Sequence, residues 1–378
     1  MATIAGTRYS NSDTANIAID MSDTLTMISP SEVPLLNLIG KSSLSTPCTA
    51  VKHEWLEDSL RGMSTAIVSQ GKFSTTTDPA DDVVITTGQG VFFRIGDIWR
   101  VEAELVKVAA TPAADTLNVT RGYGGSSAAS HANGVTMEYI GNVAVQDAAV
   151  GAARTTTKSG LFNYVQIMED ALKFTSTEKA IKKYVEQNSV DAQMSRAMRT
   201  WWIGWEKALL HGRKVAPTNS VAGAMDGILI RLSTNSYAKS GAYLTEDHIR
   251  TALRDVWTAG GSPSHLVVNA FQKERISQFL DNMRETTRTD KTAGAIVNTY
   301  ESEYGTVDIL LDRWMPSDTV LVLSKEHVGF GPFSQHATKA IQIPQTTGLV
   351  DTWQIYGAYT SETRAESAHA KITGLATS

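Results

Sequence analysis

The chain has 378 residues, 42% of them hydrophobic and 19% charged, with a formal net charge of -5 and one cysteine, Cys48. That length holds two or three domains with real cores. It excludes internal disulfides and thiolate metal clusters, argues against a tight grip on nucleic acid phosphates, which calls for a basic face, and offers neither an apolar run of membrane-spanning length nor an export leader.

Residues 1–29 are rich in Ser, Thr, Asp and Ala without an apolar period, and predict an arm that frays unless a neighbouring copy holds it. SPSEVPLLNLIG at 29–40 then offers a cap-like serine, two prolines and the apolar set Val33, Leu35, Leu36, Leu38 and Ile39. A short anchoring helix closed by Gly40 follows from that pattern.

VKHEWLEDSLRG at 51–62 places His53, Glu54, Trp55, Glu57, Asp58, Leu60 and Arg61 close together. HEWLE resembles the zinc-protease motif H-E-x-x-H, in which two histidines one helical turn apart hold the metal and the glutamate is the general base. Position 57 is glutamate, however, and the segment fits a strand equally well. In a strand His53, Trp55 and Glu57 share one face and Glu54, Leu56 and Asp58 the other, which scatters the ligands. Neither a metal site nor a catalytic residue is expected, and no cofactor; the plainer reading is an exposed charged strand that meets a partner.

Between Val83 and Gly141 the pattern turns to period two in VVIT, VFFRIGDIWRV, ELVKV, TLNVT and VTMEYI, broken by turn residues. A small β-barrel or sandwich over 83–141, inserted in the chain, is predicted. Within it RGYGGSSAASHANG at 121–134 looks like a phosphate-cradling loop but lacks the G-K-[ST] ending, so a glycine-rich hairpin explains it.

TSTE at 175–178 reads as a capping box, and the apolar spacing from Ser176 to His211 predicts one helix about 54 Å long that stops at Gly212. Trp201, Trp202 and Trp205 fall on this helix as packing residues. Glu206 is counted with Glu178, Glu186 and Asp191 against a slight excess of lysine and arginine on its solvated face. Beyond it, LTEDHIRTALRDVWTAGG at 244–261 and AFQKERISQFLDNM at 270–283 predict helices, the first capped by Thr245, and HLVVNA at 265–270 a buried strand. VDILLDRWMP, TVLVLSKEHVGFGPF and the tail to Ser378 are strand-rich, which makes the chain α+β.

The order of these segments resembles the major capsid proteins of tailed bacteriophages. SEVPLLNLIG, VKHEWLEDSLRG, the inserted FRIGDIWRV and TLNVTRGYGGSSAASHANG, FNYVQIMEDALKFT, WEKALLHG, HLVVNAFQKERISQF, YGTVDILLDRWMPSDTVLVLSKEHV and YGAYTSETRAESAHAKITGL carry the likeness over nearly the whole chain. It implies the Hong Kong 97 type of fold: an N-terminal arm at 1–50, an extended loop at 51–82 and 142–170, and the inserted domain at 83–141. The peripheral domain would take 171–222 and 315–378 with spine helix 176–211, and the axial domain 223–314. It further implies a virion shell built of pentamers and hexamers around double-stranded DNA and assembled in the host cytoplasm. Scaffold, portal and cement proteins would be partners, with no membrane. His53, Glu54, Trp55, Glu57, Asp58, Leu60 and Arg61 would then lie in a contact strand, where charges of both signs set register between subunits. The rival readings are the shell of a cellular nanocompartment, a metal-dependent hydrolase using His53 and Glu54, and a tail or fibre protein.

Overall fold

A computed structural model describes residues 32–58, 60, 62–110, 112–146, 158–181, 189–281, 298–344 and 348–377. The arm predicted over 1–29, the cap-like serine before Glu32, and Arg61 lie outside these residues. The chain forms two compact units, Leu56–Gly160 and, on either side of it in sequence, Met1–Trp55 with Leu161–Ser378. Helix α1 (Pro34–Ile39) comes first, and strand β1 (Lys52–Glu57) pairs with β8 (Ser159–Tyr164) as a two-stranded sheet.

The Leu56–Gly160 unit is a closed barrel of β2 (Ser64–Ser69), β3 (Ala80–Ile85), β4 (Asp97–Val101), β5 (Glu104–Val108), β6 (Thr116–Thr120) and β7 (Thr136–Asn142). The order around it is β2, β3, β6, β5, β4, β7, every pair antiparallel. Period-two alternation turns Val106, Val108, Leu117, Val119 and Met137 inward around Phe93, which stacks on Trp99 at 4.1 Å. Closure needs a strand that the sequence reading passed over: β2, whose STAIVS sends Thr65 and Ile67 inward. The barrel therefore begins near residue 64 rather than at the expected Val83.

In the other unit, β9 (Gln166–Thr175) leads into α2 (Ser176–Ala180), where the Thr175 side chain accepts the Glu178 N–H at 3.2 Å as the capping box predicts. The continuous 36-residue helix does not form. Ile181 leaves the helix with extended backbone (φ -71°, ψ 125°), and α3 spans Ser189–His211, with 182–188 outside the described residues. Gly212 does end α3, though by close approach rather than by left-handed backbone. A Cβ there would stand 2.5 Å from the carbonyl oxygens of both Ala208 and Met225.

After the short α4 (Ile228–Arg231) and β10 (Ser236–Ala238), α5 (Glu246–Thr258) starts at Thr245, whose side chain makes no capping hydrogen bond. β11 (His265–Val268), α6 (Ala270–Asp281), β12 (Thr299–Ser302), β13 (Gly305–Leu311), β14 (Val320–Leu323), β15 (Val328–Pro332), β16 (Lys339–Ile343), β17 (Val350–Thr363) and β18 (Ala370–Thr373) complete the chain. A six-stranded mixed sheet runs β10, β18, β14, β11, β13, β12. It crosses the expected border at 314, since β14 and β18 come from beyond it. Both of its faces are covered, which explains the unbroken apolar runs of HLVV and VLVL. Leu266, Val268, Val320 and Val322 join Ile249, Leu253 and Val256 of α5 on one side, while Val267, Leu321 and Leu323 join the α3 core on the other.

A second sheet is organised by the long β17, which pairs with β9 along one edge and with β16 and then β15 along the other. α3 contributes its apolar stripe to the core next to this sheet: Trp201, Trp205, Leu209 and Leu210 meet Leu35, Leu36 and Ile39 of α1, Phe330 of β15 and Tyr359 of β17.

Candidate functional site

HEWLE is a strand, and its alternation decides what each residue does. His53 and Trp55 point inward, 5% and 8% exposed, whereas Glu54 and Leu56 point to solvent. His53 Nε2 lies 2.5 Å from Glu362 Oε1 of β17. Glu362 is itself buried, accepts the Ser45 hydroxyl at 2.7 Å and lies 3.6 Å from Arg364 Nε. Hydrogen bonding to Cys48 and then to Glu362 outweighs the burial of His53 and raises its pKa to about 9. Burial opposes ionisation of Glu362 too, but the bonds from His53 and Ser45 hold its carboxyl below the usual range. The pair is a buried ion pair between β1 and β17.

Both members gain from folding, with opposite signs in pH. The His53 contribution is full below its ordinary value of 6.5 and is lost as pH rises through about 9. That of Glu362 is present above its ordinary 4.5 and is lost as pH falls. Thermal unfolding of the parent chain and His53→Gln across pH 5 to 10 is expected to show a gap that is widest near pH 6 and narrows toward the alkaline end. A gap that stays constant would refute the ion pair.

Trp55 packs within its own chain, 5.7 Å from the Arg231 guanidinium, in a shallow cleft lined also by Phe162, Asn163, Asp226 and Thr363. The expectation that His53 and Trp55 face a neighbour is thereby corrected: alternate residues of a strand take opposite faces, and these two belong to the buried one. The outward set is Glu54, beside Lys52, with Leu56, Asp58 and Leu60, and Glu57 is half-buried. Leu56 is 68% and Leu60 90% exposed, an unusual placement for two leucines four positions apart in one segment. Among the described residues no group of three or more His, Cys, Asp or Glu could hold a metal ion.

Trp201 and Trp205 of α3 lie in its apolar core, and Trp202 packs against it half-buried. Trp205 is fully buried with ring centroids 4.9 Å from Tyr359 and 6.0 Å from Phe330; Trp201 donates its indole N–H to Thr338 Oγ1 at 3.0 Å; Trp202 carries the Lys41 ammonium over its ring at 4.0 Å. Glu206, assigned by sequence to the solvated face, is instead completely buried. Its position four after Trp202 and three before Leu209 marked it as a member of the apolar stripe.

The loop at 121–134 does cradle an anion, and the anion is the chain's own. The Glu104 carboxylate, wholly buried, accepts Arg121 Nε and Nη2 at 2.7 Å each, Gly122 N and Ala129 N at 3.0 Å each, and His131 Nε2 lies 2.9 Å away. Burial alone would raise this carboxyl, but Arg121, the two amides and His131 hold it at about 2. Gly122 has to be glycine here: φ is 60°, and a Cβ would meet the Ser126 carbonyl oxygen at 2.8 Å. Arg121 Nη1 donates to Thr75 O at 2.9 Å and His131 Nδ1 lies 2.8 Å from Glu102, so the network ties the loop to two further segments of the barrel. A filled cradle has no room for an external phosphate.

The fold is shared with solved structures from phage and GTA particles. The chain has a TM-score of 0.58 and 11% identity with a chain of the cyanophage A-1(L) capsid asymmetric unit, covering 98% of this chain and 100% of that one. With the capsid of a native GTA particle the values are 0.54 and 9%, over 98% and 100%. With Microbacterium phage Oxtober96 they are 0.52 and 10%, over 96% and 98%. No curated protein sequence matches the chain. These likenesses, at such low identity, establish the fold as the Hong Kong 97 type. The model of the SU10 major capsid protein family matches residues 3–376, and the chain belongs to that family of phage major capsid proteins.

Proposed function

We propose that the chain is the repeating subunit of a phage head shell that encloses double-stranded DNA, forms rings of five and six copies, and performs no bond-making chemistry. The family match over nearly the full length carries this reading and favours it over a cellular nanocompartment or a tail protein. The hydrolase alternative has lost its residues, because His53 is buried against Glu362 and its partner Glu54 faces away. The net charge of -5 suits a container whose wall does not grip the packed genome. Assembly in the host cytoplasm, with a portal and with scaffold or cement proteins as partners, belongs to the same proposal.

Contact between copies is assigned to the outward residues of the loop root, Glu54, Leu56, Asp58 and Leu60, with Arg61 beside them in sequence. A standard interface buries about 1,600 Å², much of whose gross gain is offset by lost freedom on association. Individual contacts therefore stay weak, and a closed shell is held by many engaging together.

Negative-stain microscopy of the purified chain is expected to show closed particles. Leu60→Asp is expected to keep the parent's thermal midpoint within a degree or two, as surface changes do, while particle yield falls at least tenfold. A chain that stays monomeric across salt, pH and concentration would overturn the shell reading; normal particles from Leu60→Asp would overturn the contact assignment alone.

A further inference from the structure

The root of the arm is fastened at a place no sequence motif announced. α1 begins without a cap of its own, since Val33 offers no side-chain hydrogen bond. Two of the amides that every helix start leaves unpaired, those of Leu35 and Leu36, donate instead to Glu206 of α3, to Oε1 at 2.8 Å and Oε2 at 2.9 Å. One carboxyl thus caps a helix some 170 residues away in sequence.

A second buried carboxyl stands against the first. Asp312, fully buried just after β13, accepts the Trp314 N–H on Oδ1 at 2.9 Å, and its own N–H donates to Val268 O at 2.9 Å. Its Oδ2 is buried and takes no N–H or hydroxyl donor among the described residues, which leaves a proton on Glu206 as the group to satisfy it.

Among the described residues no cation forms an ion pair with either carboxyl. On α3, His211 places a ring nitrogen 3.1 Å from Trp314 O and acts on Asp312 only through space, and the Lys207 ammonium sits 4.5 Å from the Trp314 ring centroid. Ahead of α1, Glu32 is exposed and faces Arg313 at 3.6 Å, while its carbonyl accepts the Trp314 indole N–H at 2.9 Å. α1 itself, PLLNLI, has no titratable side chain. Neither buried carboxyl has a salt-bridge partner among the described residues, and two like charges in such a site cannot both persist.

We propose that Glu206 and Asp312 form a proton-dependent latch: with one proton shared between them they hold α1 against α3, and loss of that proton as pH rises toward neutrality loosens α1 and with it the root of the arm. Burial first, then the nearby Asp312, raise the Glu206 carboxyl to about 7 against the backbone N–H bonds that oppose the shift, and burial raises Asp312 as well. Once α1 lifts and water reaches the pair, Glu206 returns to its ordinary 4.5. The docked state binds the proton more tightly, so docking is strongest below pH 4.5, weakens between 4.5 and 7, and then levels off. The total change is on the order of a hundredfold in the docking equilibrium.

Hydrogen exchange on the full-length chain tests this, read by mass spectrometry on the peptide covering 33–40 between pH 4.5 and 8.5 and corrected for the intrinsic pH dependence of exchange. Protection of that peptide is expected to fall on the order of a hundredfold up to pH 7 and then flatten, while the peptide covering β11 stays constant. Glu206→Gln, which donates to Asp312 at every pH, is expected to remove the pH dependence and keep α1 protected at pH 8. Asp312→Asn serves the same purpose if the first variant does not fold. A flat profile in the parent chain overturns the latch, as does a fall that survives in either variant. The readout needs no particle, so its failure is distinct from failure of the shell reading.

Discussion

Replacing Glu104 by glutamine is expected to destabilise the barrel by about 3–5 kcal/mol, the cost of leaving a buried charge without its partner. Arg121, side chain fully buried, would keep its bonds to carbonyl oxygens but lose its bidentate carboxylate partner, and the amides of Gly122 and Ala129 would face a weaker acceptor. Hydrogen exchange of β5 and β6 in the intact chain measures the loss. The peptides of α3 and β17 lie in a unit with its own core and are expected to keep their protection. Adding Arg121→Met to the same chain should recover a substantial part of the stability, because the double change removes both charges together. A Glu104→Gln barrel within 1 kcal/mol of the parent would show that the cage is not what holds the 121–134 loop.

Trp205→Ala is the second large effect, about 3–5 kcal/mol for emptying a fully buried indole site. The side chain stands where α3, β15 and β17 meet, inclined against both Phe330 and Tyr359, rings that themselves stack at 5.0 Å. Its removal leaves a cavity that three elements would have to move to fill. Trp205→Phe is expected to cost clearly less, since the ring contacts largely remain and the indole N–H, buried without a hydrogen-bond partner, is removed with its desolvation penalty. Chemical denaturation of both variants checks the order. Equal losses would mean that the indole volume matters little at this crossing.

These two sites and the outward leucines divide the work of a shell subunit. Glu104 and Trp205 secure two separate cores and face no partner. Leu56 and Leu60 leave most of their apolar surface exposed, which is why a neighbouring copy is assigned to them.

The sequence by itself determined the local elements wherever a short-range rule governs the backbone. Period two in ELVKV and TLNVT gave strands at the predicted residues, Thr175 capped its helix, and the double-sided burial of HLVV was legible as an apolar run. The order of segments also carried the family. Tertiary structure alone decided which partners the interior polar groups find. Glu206 read as an ordinary surface acid, and nothing in ELVKV set Glu104 apart, because their partners, the amides of Leu35 and Leu36 and the Arg121 loop, are distant in sequence or depend on how a loop folds back. The face of β1 turned toward Glu362 was equally undetermined, since alternation names two faces without saying which is buried. The long helix failed for a related reason: its periodicity ran across residues whose backbone at Ile181 turns extended, and helical spacing constrains where a helix would bury its side chains, not whether it continues.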